Sequence, residues 1–223
     1  MLHDSTINRT ARNADGTEIA TTINIADITY TQALTYDFGI WKSNTYAGTK
    51  IPTFEEFIKL CSKINLYPYI ELKQEANFTQ EDITNLMKIT EKYGMKRRVT
   101  WIAFNWGALT KIFAADNGAR IGWLGNVSDS GINPSKIPTL QRDYSNGRNE
   151  VFFDVNAGST SYPITSEFIE ACKTECIPVE VYGIDTEASI LALDEYITGA
   201  TCDSINFADI IYNNNIGEEN TGV

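Results

Sequence analysis

From residue 53 onward, short runs rich in β-branched and aromatic residues alternate with longer amphipathic runs. The amphipathic runs place apolar residues three and four positions apart, a spacing that predicts helices. The runs that predict strands are residues 67–72, 99–104, 119–124, 150–155, 177–182 and 202–207. Because strands that alternate with helices form right-handed crossover units, this pattern predicts a parallel sheet in an α/β fold.

The predicted helices carry recognisable start and stop signals. Thr53 and Thr79 are natural N-cap residues, and acidic side chains follow each of them in the first turn. Gly94 is a helix stop signal. The last predicted helix covers residues 186–199 and precedes the sixth strand.

Two architectures fit this alternation, a doubly wound open sheet and a (β/α)8 barrel. A glycine-rich phosphate turn does not follow the early strands, which disfavours the dinucleotide-binding open sheet. Six strands are fewer than the eight of a closed barrel, so the count predicts a (β/α)8 TIM barrel that lacks two strands. We expect residues 1–223 to form one domain of this kind.

Charge and hydropathy narrow the classes of partner. The chain has a formal net charge of −11 and a sequence pI near 4.6, whereas nucleic-acid-binding proteins usually present a basic face. We therefore expect no nucleic-acid partner. No apolar run approaches the roughly 18 residues of a transmembrane helix, and no secretory signal pattern is visible at the start. The compartment, cytoplasmic or secreted, stays open.

The carboxyl ends of the predicted strands are where barrels bind ligands. Glu71 and Lys73 stand two positions apart at the first such end, so strand alternation predicts that they share a face. One interpretation is an internal ion pair, since buried charges need partners. The other is a metal-binding carboxylate beside a lysine that attracts a phosphate, because oxygen ligands suit Mg²⁺ or Ca²⁺.

Several short motifs follow one another in order over the first third of the chain. They are His3-Asp4, Arg9-Thr10 with Asp15-Gly16, "YDFGIW" at 36–41, "IPTFEE" at 51–56 and Glu71-Leu72-Lys73. In this order and spacing the chain resembles the glycerophosphodiester phosphodiesterase family, although Phe54 stands where the family has leucine. Each motif is weak alone, but the ordered set is specific.

The resemblance implies metal-dependent hydrolysis of a glycerophosphodiester to glycerol 3-phosphate and an alcohol, with a pair of histidines as acid and base. It implies His3 as general acid, Glu71 as a ligand of Mg²⁺ or Ca²⁺, and Lys73 as a phosphate-stabilising cation. Phe104 and Tyr182 would contact the substrate.

The later part of the chain departs from the family pattern. Ala103 stands where the family often has serine, and the strand that ends at Tyr182 lacks a common tryptophan. Both differences concern the substrate pocket.

Two family motifs, a His-Arg pair and a Glu-x-Asp metal motif, are absent from the sequence. We therefore expect a chain that starts within the domain, at the end of the second barrel strand, with the six predicted strands as numbers three to eight. Such a chain would be weak or inactive alone, and a second copy could cover the barrel gap. The alternatives are a non-catalytic barrel-derived binding module and a related phospholipase D-type phosphodiesterase.

Overall fold

The computed structural model describes residues 1–73, 78–128, 131–140, 151–203 and 209–210, with the backbone alone at 139 and 140. The chain divides into two compact units. The first unit comprises Met1–Pro68 and Lys73–Arg98, and the second comprises Tyr69–Leu72 and Val99–Val223. The expectation of a single domain over residues 1–223 stays a prediction.

The first unit is helical, with a long irregular segment before its main helices. Its helices are α1 (Tyr30–Ala33), α2 (Phe54–Ile64) and α3 (Gln80–Lys92), and short 3₁₀ turns occur at Ile25–Asp27 and Asn44–Tyr46. The Thr53 and Thr79 side chains cap α2 and α3 in reciprocal capping boxes with Glu56 and Asp82. Gly94 adopts φ +66° just after α3, so the predicted start and stop signals are confirmed.

Side-chain bonds to the backbone hold the irregular first 50 residues. Asn8 accepts from the Ile23 N–H and donates to the carbonyls of Ile19 and Thr21. Buried Asp37 accepts N–H groups from residues 39, 40 and 48, and these backbone bonds lower the pKa of its carboxyl. Satisfied polar groups of this kind fix loops that regular hydrogen-bond ladders do not reach.

The second unit contains one six-stranded parallel sheet. Its strands are β1 (Tyr69–Glu71), β2 (Thr100–Ala103), β3 (Arg120–Gly125), β4 (Val151–Asn156), β5 (Val179–Tyr182) and β6 (Ile197–Thr201). The strands lie side by side in chain order, each parallel to the next. In a doubly wound sheet the spatial order of the strands reverses at a switch point, whereas here the spatial order follows the chain order throughout. This order supports the barrel architecture.

A hydrogen bond between distant strands shows that the sheet curls. Tyr69 of β1 donates its hydroxyl to Glu180 of β5, at 2.9 Å to Oε2. In a flat sheet these strands would lie about 19 Å apart, four spacings of roughly 4.8 Å. The face that carries Tyr69 and Glu180 is therefore concave, and the fold is a partial TIM barrel, as the sequence predicted.

The convex face of the sheet packs against helices. The remaining helices are α4 (Trp106–Ala115), α5 (Ile137–Leu140), α6 (Ser166–Thr174) and α7 (Glu187–Leu191), and a 3₁₀ turn spans Pro134–Lys136. Phe153 and Val179 of the sheet form one buried cluster with Phe168 and Cys172 of α6. Because strand side chains alternate between faces, the residues between these apolar ones point into the concavity.

The final crossover differs from the sequence prediction. The predicted helix over 186–199 ends at Leu191, and β6 begins at Ile197, five residues before the predicted strand. Asp194 accepts the Tyr196 N–H and closes a turn, and the Thr198 hydroxyl bonds the Val179 carbonyl of β5. The aromatic and β-branched residues from Tyr196 on thus favour pairing over helix. Predicted strand residues 204–207 and residue 150 lie outside the described ranges.

Within the described ranges, no helix has both the length and the apolar character needed to cross a bilayer.

Candidate active site

The carboxyl ends of β1, β2 and β5 carry three of the residues predicted for the site. Glu71 ends β1, Phe104 follows β2 and Tyr182 ends β5. The structure brings the last two together, with ring centroids 6.1 Å apart and ring planes at 85°. This edge-to-face pair leaves Phe104 about half exposed, at 51%. An exposed aromatic surface at the mouth of the curled sheet is suited to contact a substrate.

Lys73 and His3 belong to the first unit. Because β1 ends at Glu71, strand alternation does not extend to Lys73, and its place beside that carboxylate stays a prediction. The His3 side chain is 70% exposed and its Nδ1 lies 2.8 Å from Oδ1 of Asp4. Asp4 in turn holds the Arg9 guanidinium through two bonds. His3 is thus part of a charged cluster that belongs to the first motif.

Asp154 is a buried acid that the sequence did not single out. It lies on β4 with 1% of its surface exposed, paired in register with Leu124 and Glu180. Its Oδ1 has no hydrogen-bond partner among the described residues. Burial, then the nearby charges of Glu180 and Glu71, raise its pKa from 3.8 to about 7. The available signal was a carboxylate inside the apolar run "VFFDV".

A layer of charged side chains fills the concavity near the start of the strands. Arg120 of β3 bonds Glu180 of β5, donates to the Tyr69 hydroxyl at 3.0 Å, and stacks 4.1 Å from the Phe152 ring centroid. Burial and the Glu180 charge raise the pKa of Tyr69. The three polar residues come from alternate strands, as the interior layers of TIM barrels do.

The middle of the concavity is packed with apolar side chains. Phe152 forms a buried cluster with Ile102 and Leu124, and Tyr182 packs against it. A Cβ on Gly122 would lie 2.2 Å from Cζ of Phe152, so this glycine makes room for the ring. Leu124 of this cluster pairs in register with Asp154, and burial is the largest cause of the raised pKa of that acid.

The family resemblance implies a divalent cation, and the donor set can be tested against that expectation. In the described part of the chain, no group of three or more His, Cys, Asp or Glu side chains could hold a metal ion. Mg²⁺ and Ca²⁺ take six or more oxygen ligands. Glu71 alone does not supply them, so the described residues do not complete a site for the cation.

The second unit is thus a partial parallel barrel with acidic and aromatic side chains at the carboxyl ends of its strands. Residues 1–206 match the model of the Glycerophosphoryl diester phosphodiesterase family. The chain belongs to this family and is therefore a phosphoric diester hydrolase by class. No curated protein matches the sequence significantly.

Solved structures share the fold at low sequence identity. A Silicibacter pomeroyi protein that carries the family's name is similar over 96% of this chain and 78% of its own, with 14% identity and a TM-score of 0.74. A phosphodiesterase of Oleispira antarctica, solved with the product sn-glycerol-3-phosphate, is similar over 95% of this chain and 78% of its own, with 17% identity and a TM-score of 0.69. A glycerophosphodiester phosphodiesterase from Agrobacterium tumefaciens is similar over 91% of this chain and 77% of its own, with 17% identity and a TM-score of 0.63.

Proposed function

We propose that the chain hydrolyses glycerophosphodiesters to sn-glycerol 3-phosphate and an alcohol. The observation that carries the proposal is the family match over residues 1–206. The structural likeness to a phosphodiesterase solved with sn-glycerol-3-phosphate supports the choice of product. The ordered motifs from His3 to Lys73 lie within the matched residues and are consistent with the proposal.

In this proposal His3 acts as the general acid. The substrate's own glycerol hydroxyl attacks phosphorus, the P–O bond to the alcohol breaks, and the departing alkoxide takes the proton from His3, which leaves a cyclic glycerol phosphate. Water then adds to phosphorus and one ring P–O bond breaks, which gives sn-glycerol 3-phosphate. Histidine suits this role because its pKa lies near neutrality. Lys73 would balance phosphate charge, and Phe104 with Tyr182 would line the substrate. The hydroxyl attack also needs a base, for which the sequence offers no second histidine.

The proposal retains a divalent cation, Mg²⁺ or Ca²⁺, with Glu71 as its proposed ligand. A bound cation would neutralise charge on the phosphoryl oxygens. Because the described residues do not complete its coordination, we propose that this 223-residue chain turns over slowly by itself.

Release of sn-glycerol 3-phosphate from sn-glycero-3-phosphocholine tests these statements. We expect slow release with Mg²⁺ or Ca²⁺ that EDTA abolishes, with kcat roughly 100-fold or more below that of the Oleispira antarctica phosphodiesterase in the same assay. Turnover as fast as that enzyme's would contradict the proposed weakness. Turnover unaffected by EDTA would contradict the cation. Binding of the diester without turnover would favour the binding-module alternative.

We also propose that a second copy of this chain covers the open side of the barrel. In the sheet as described, β1 and β6 end the strand order, and unpaired parallel edges with apolar faces are unfavourable in water. Light scattering coupled to size-exclusion chromatography should give twice the monomer mass of 24.9 kDa. A stable monomer at all concentrations would contradict this.

A further inference from the structure

The side chains of His3, Asp4 and Arg9 are joined by hydrogen bonds to which the proposed reaction assigns no role. Arg9 donates from Nε to Asp4 Oδ2 at 2.5 Å and from Nη2 to Asp4 Oδ1 at 3.0 Å. The same Oδ1 lies 2.8 Å from Nδ1 of His3. Two parallel N–H bonds from a guanidinium fix the plane of a carboxylate as well as its charge.

The direction of the His3 bond follows from the charge of Asp4. The Arg9 bond, and then the His3 bond, hold the pKa of the Asp4 carboxyl well below its usual range. An ionised carboxylate can only accept hydrogen bonds. Nδ1 of His3 must therefore carry the proton in this contact, which leaves Nε2 as the unprotonated nitrogen of the neutral ring.

The segment that presents these residues is anchored despite its place at the start of the chain. Ile7 and Ala11 are fully buried. The Ile7 N–H bonds the Ile23 carbonyl at 3.0 Å, and the Ile25 N–H bonds the Ser5 carbonyl at 2.9 Å. Asp4 and Arg9 flank this paired stretch, so their backbones are held while their side chains meet.

We propose that Arg9 and Asp4 are positioning residues that hold His3 as the Nδ1–H tautomer and direct Nε2 toward the reacting phosphate. When Nε2 of the protonated ring gives its proton to the departing alkoxide, the ring that remains is the same Nδ1–H tautomer. The Asp4 bond thus persists through the transfer. The catalytic consequence rests on the proposed function, whereas the tautomer does not.

Nuclear magnetic resonance can read this tautomer directly, because His3 is the only histidine in the chain. In a ¹⁵N-labelled protein at about pH 9, well above the ordinary histidine pKa, long-range ¹H–¹⁵N correlations distinguish the two ring nitrogens. We expect a pyrrole-type shift at Nδ1 and a pyridine-type shift at Nε2. Asp4→Asn should move the ring toward the Nε2–H form that exposed histidines prefer, because an amide no longer requires an N–H donor.

Two further variants separate positioning from general loss of charge. Arg9→Lys replaces the two-bond fork by a single ammonium and should give an intermediate tautomer mixture. Asp27→Asn removes a carboxylate of the same unit whose partner is Asn24, and should leave the His3 spectrum unchanged. A wild-type ring in the Nε2–H form, or an Asp4→Asn spectrum identical to the wild type, would overturn the proposal.

The activity readout distinguishes this inference from the proposed function. Asp4→Asn should lower kcat by roughly tenfold or more with little change in KM, since it acts on proton transfer rather than on substrate binding. An unchanged kcat would refute the positioning role. The expected tautomer in a wild-type chain that hydrolyses no diester would support the positioning geometry and refute the proposed function.

Discussion

Replacing Asp154 with asparagine should make the protein's stability far less dependent on pH. The pKa of this buried acid is raised from 3.8 to about 7. The folded protein therefore holds a proton that the unfolded chain releases, and wild-type stability falls as the pH rises between these two values. A shift of this size corresponds to about 4 kcal/mol. The loss is complete above about pH 7 and absent below about pH 4.

The test follows how the difference in free energy of unfolding between Asp154→Asn and the wild type changes with pH. The absolute difference is not used, because the buried asparagine amide itself changes stability by a constant amount. Urea unfolding of both proteins in EDTA-containing buffer gives the free energy of unfolding at each pH. The advantage of Asp154→Asn over the wild type should grow by about 3–4 kcal/mol from about pH 4 to about pH 8. Glu195→Gln, at an exposed carboxylate of the same unit, serves as the control. A constant difference across this range would show that Asp154 is not a buried neutral acid.

Replacing Arg120 with methionine should lower the free energy of unfolding by about 3 kcal/mol. The Glu180 carboxylate is nearly buried, at 8% exposure, and would keep only the Tyr69 hydroxyl as a partner. Removing one partner of a buried ion pair typically costs about 3–5 kcal/mol, and the lower figure applies because the Arg120 side chain is 40% exposed. The pKa of Asp154 should rise further, since Arg120 is the cation that lowers it.

The double variant Arg120→Met/Glu180→Gln separates loss of packing from an unpaired charge. It removes both charges, so we expect it to recover more than half of the stability lost in Arg120→Met. Denaturant midpoints of the four proteins complete the cycle. If Arg120→Met lies within about 1 kcal/mol of the wild type, the ion pair does not hold β3 and β5 together across the concavity.

Regular parts of the fold were predictable because local signals and packing agree. The Thr53 and Thr79 caps, the Gly94 stop and the first five strands follow the sequence pattern to within about two residues. The last crossover was not predictable, because the apolar spacing typical of a helix continues after Thr186 beyond the residue where the helix ends. The β-branched residues after Tyr196 are a weak local signal, and the pairing of β6 with β5 decides for the strand there.

The sequence indicated several residues of the candidate site, but it did not indicate the contacts that surround them. Strand ends and the family resemblance indicated Glu71, Phe104 and Tyr182, and the last two meet in the structure. The sequence alone could not show that β1 and β5 approach across a curled sheet. The hydrogen bond from Tyr69 to Glu180 and the desolvation of Asp154 depend on that curvature, which the sequence pattern does not reveal.

Phosphorus-31 magnetic resonance of sn-glycero-3-phosphocholine, incubated with the chain and Mg²⁺ or Ca²⁺, tests the proposed activity most directly. We predict that a signal of sn-glycerol 3-phosphate grows in proportion to protein concentration and is lost in His3→Asn. Formation of phosphocholine instead, or no product at any protein concentration, would contradict the assignment of this chain as a glycerophosphodiester hydrolase that uses His3.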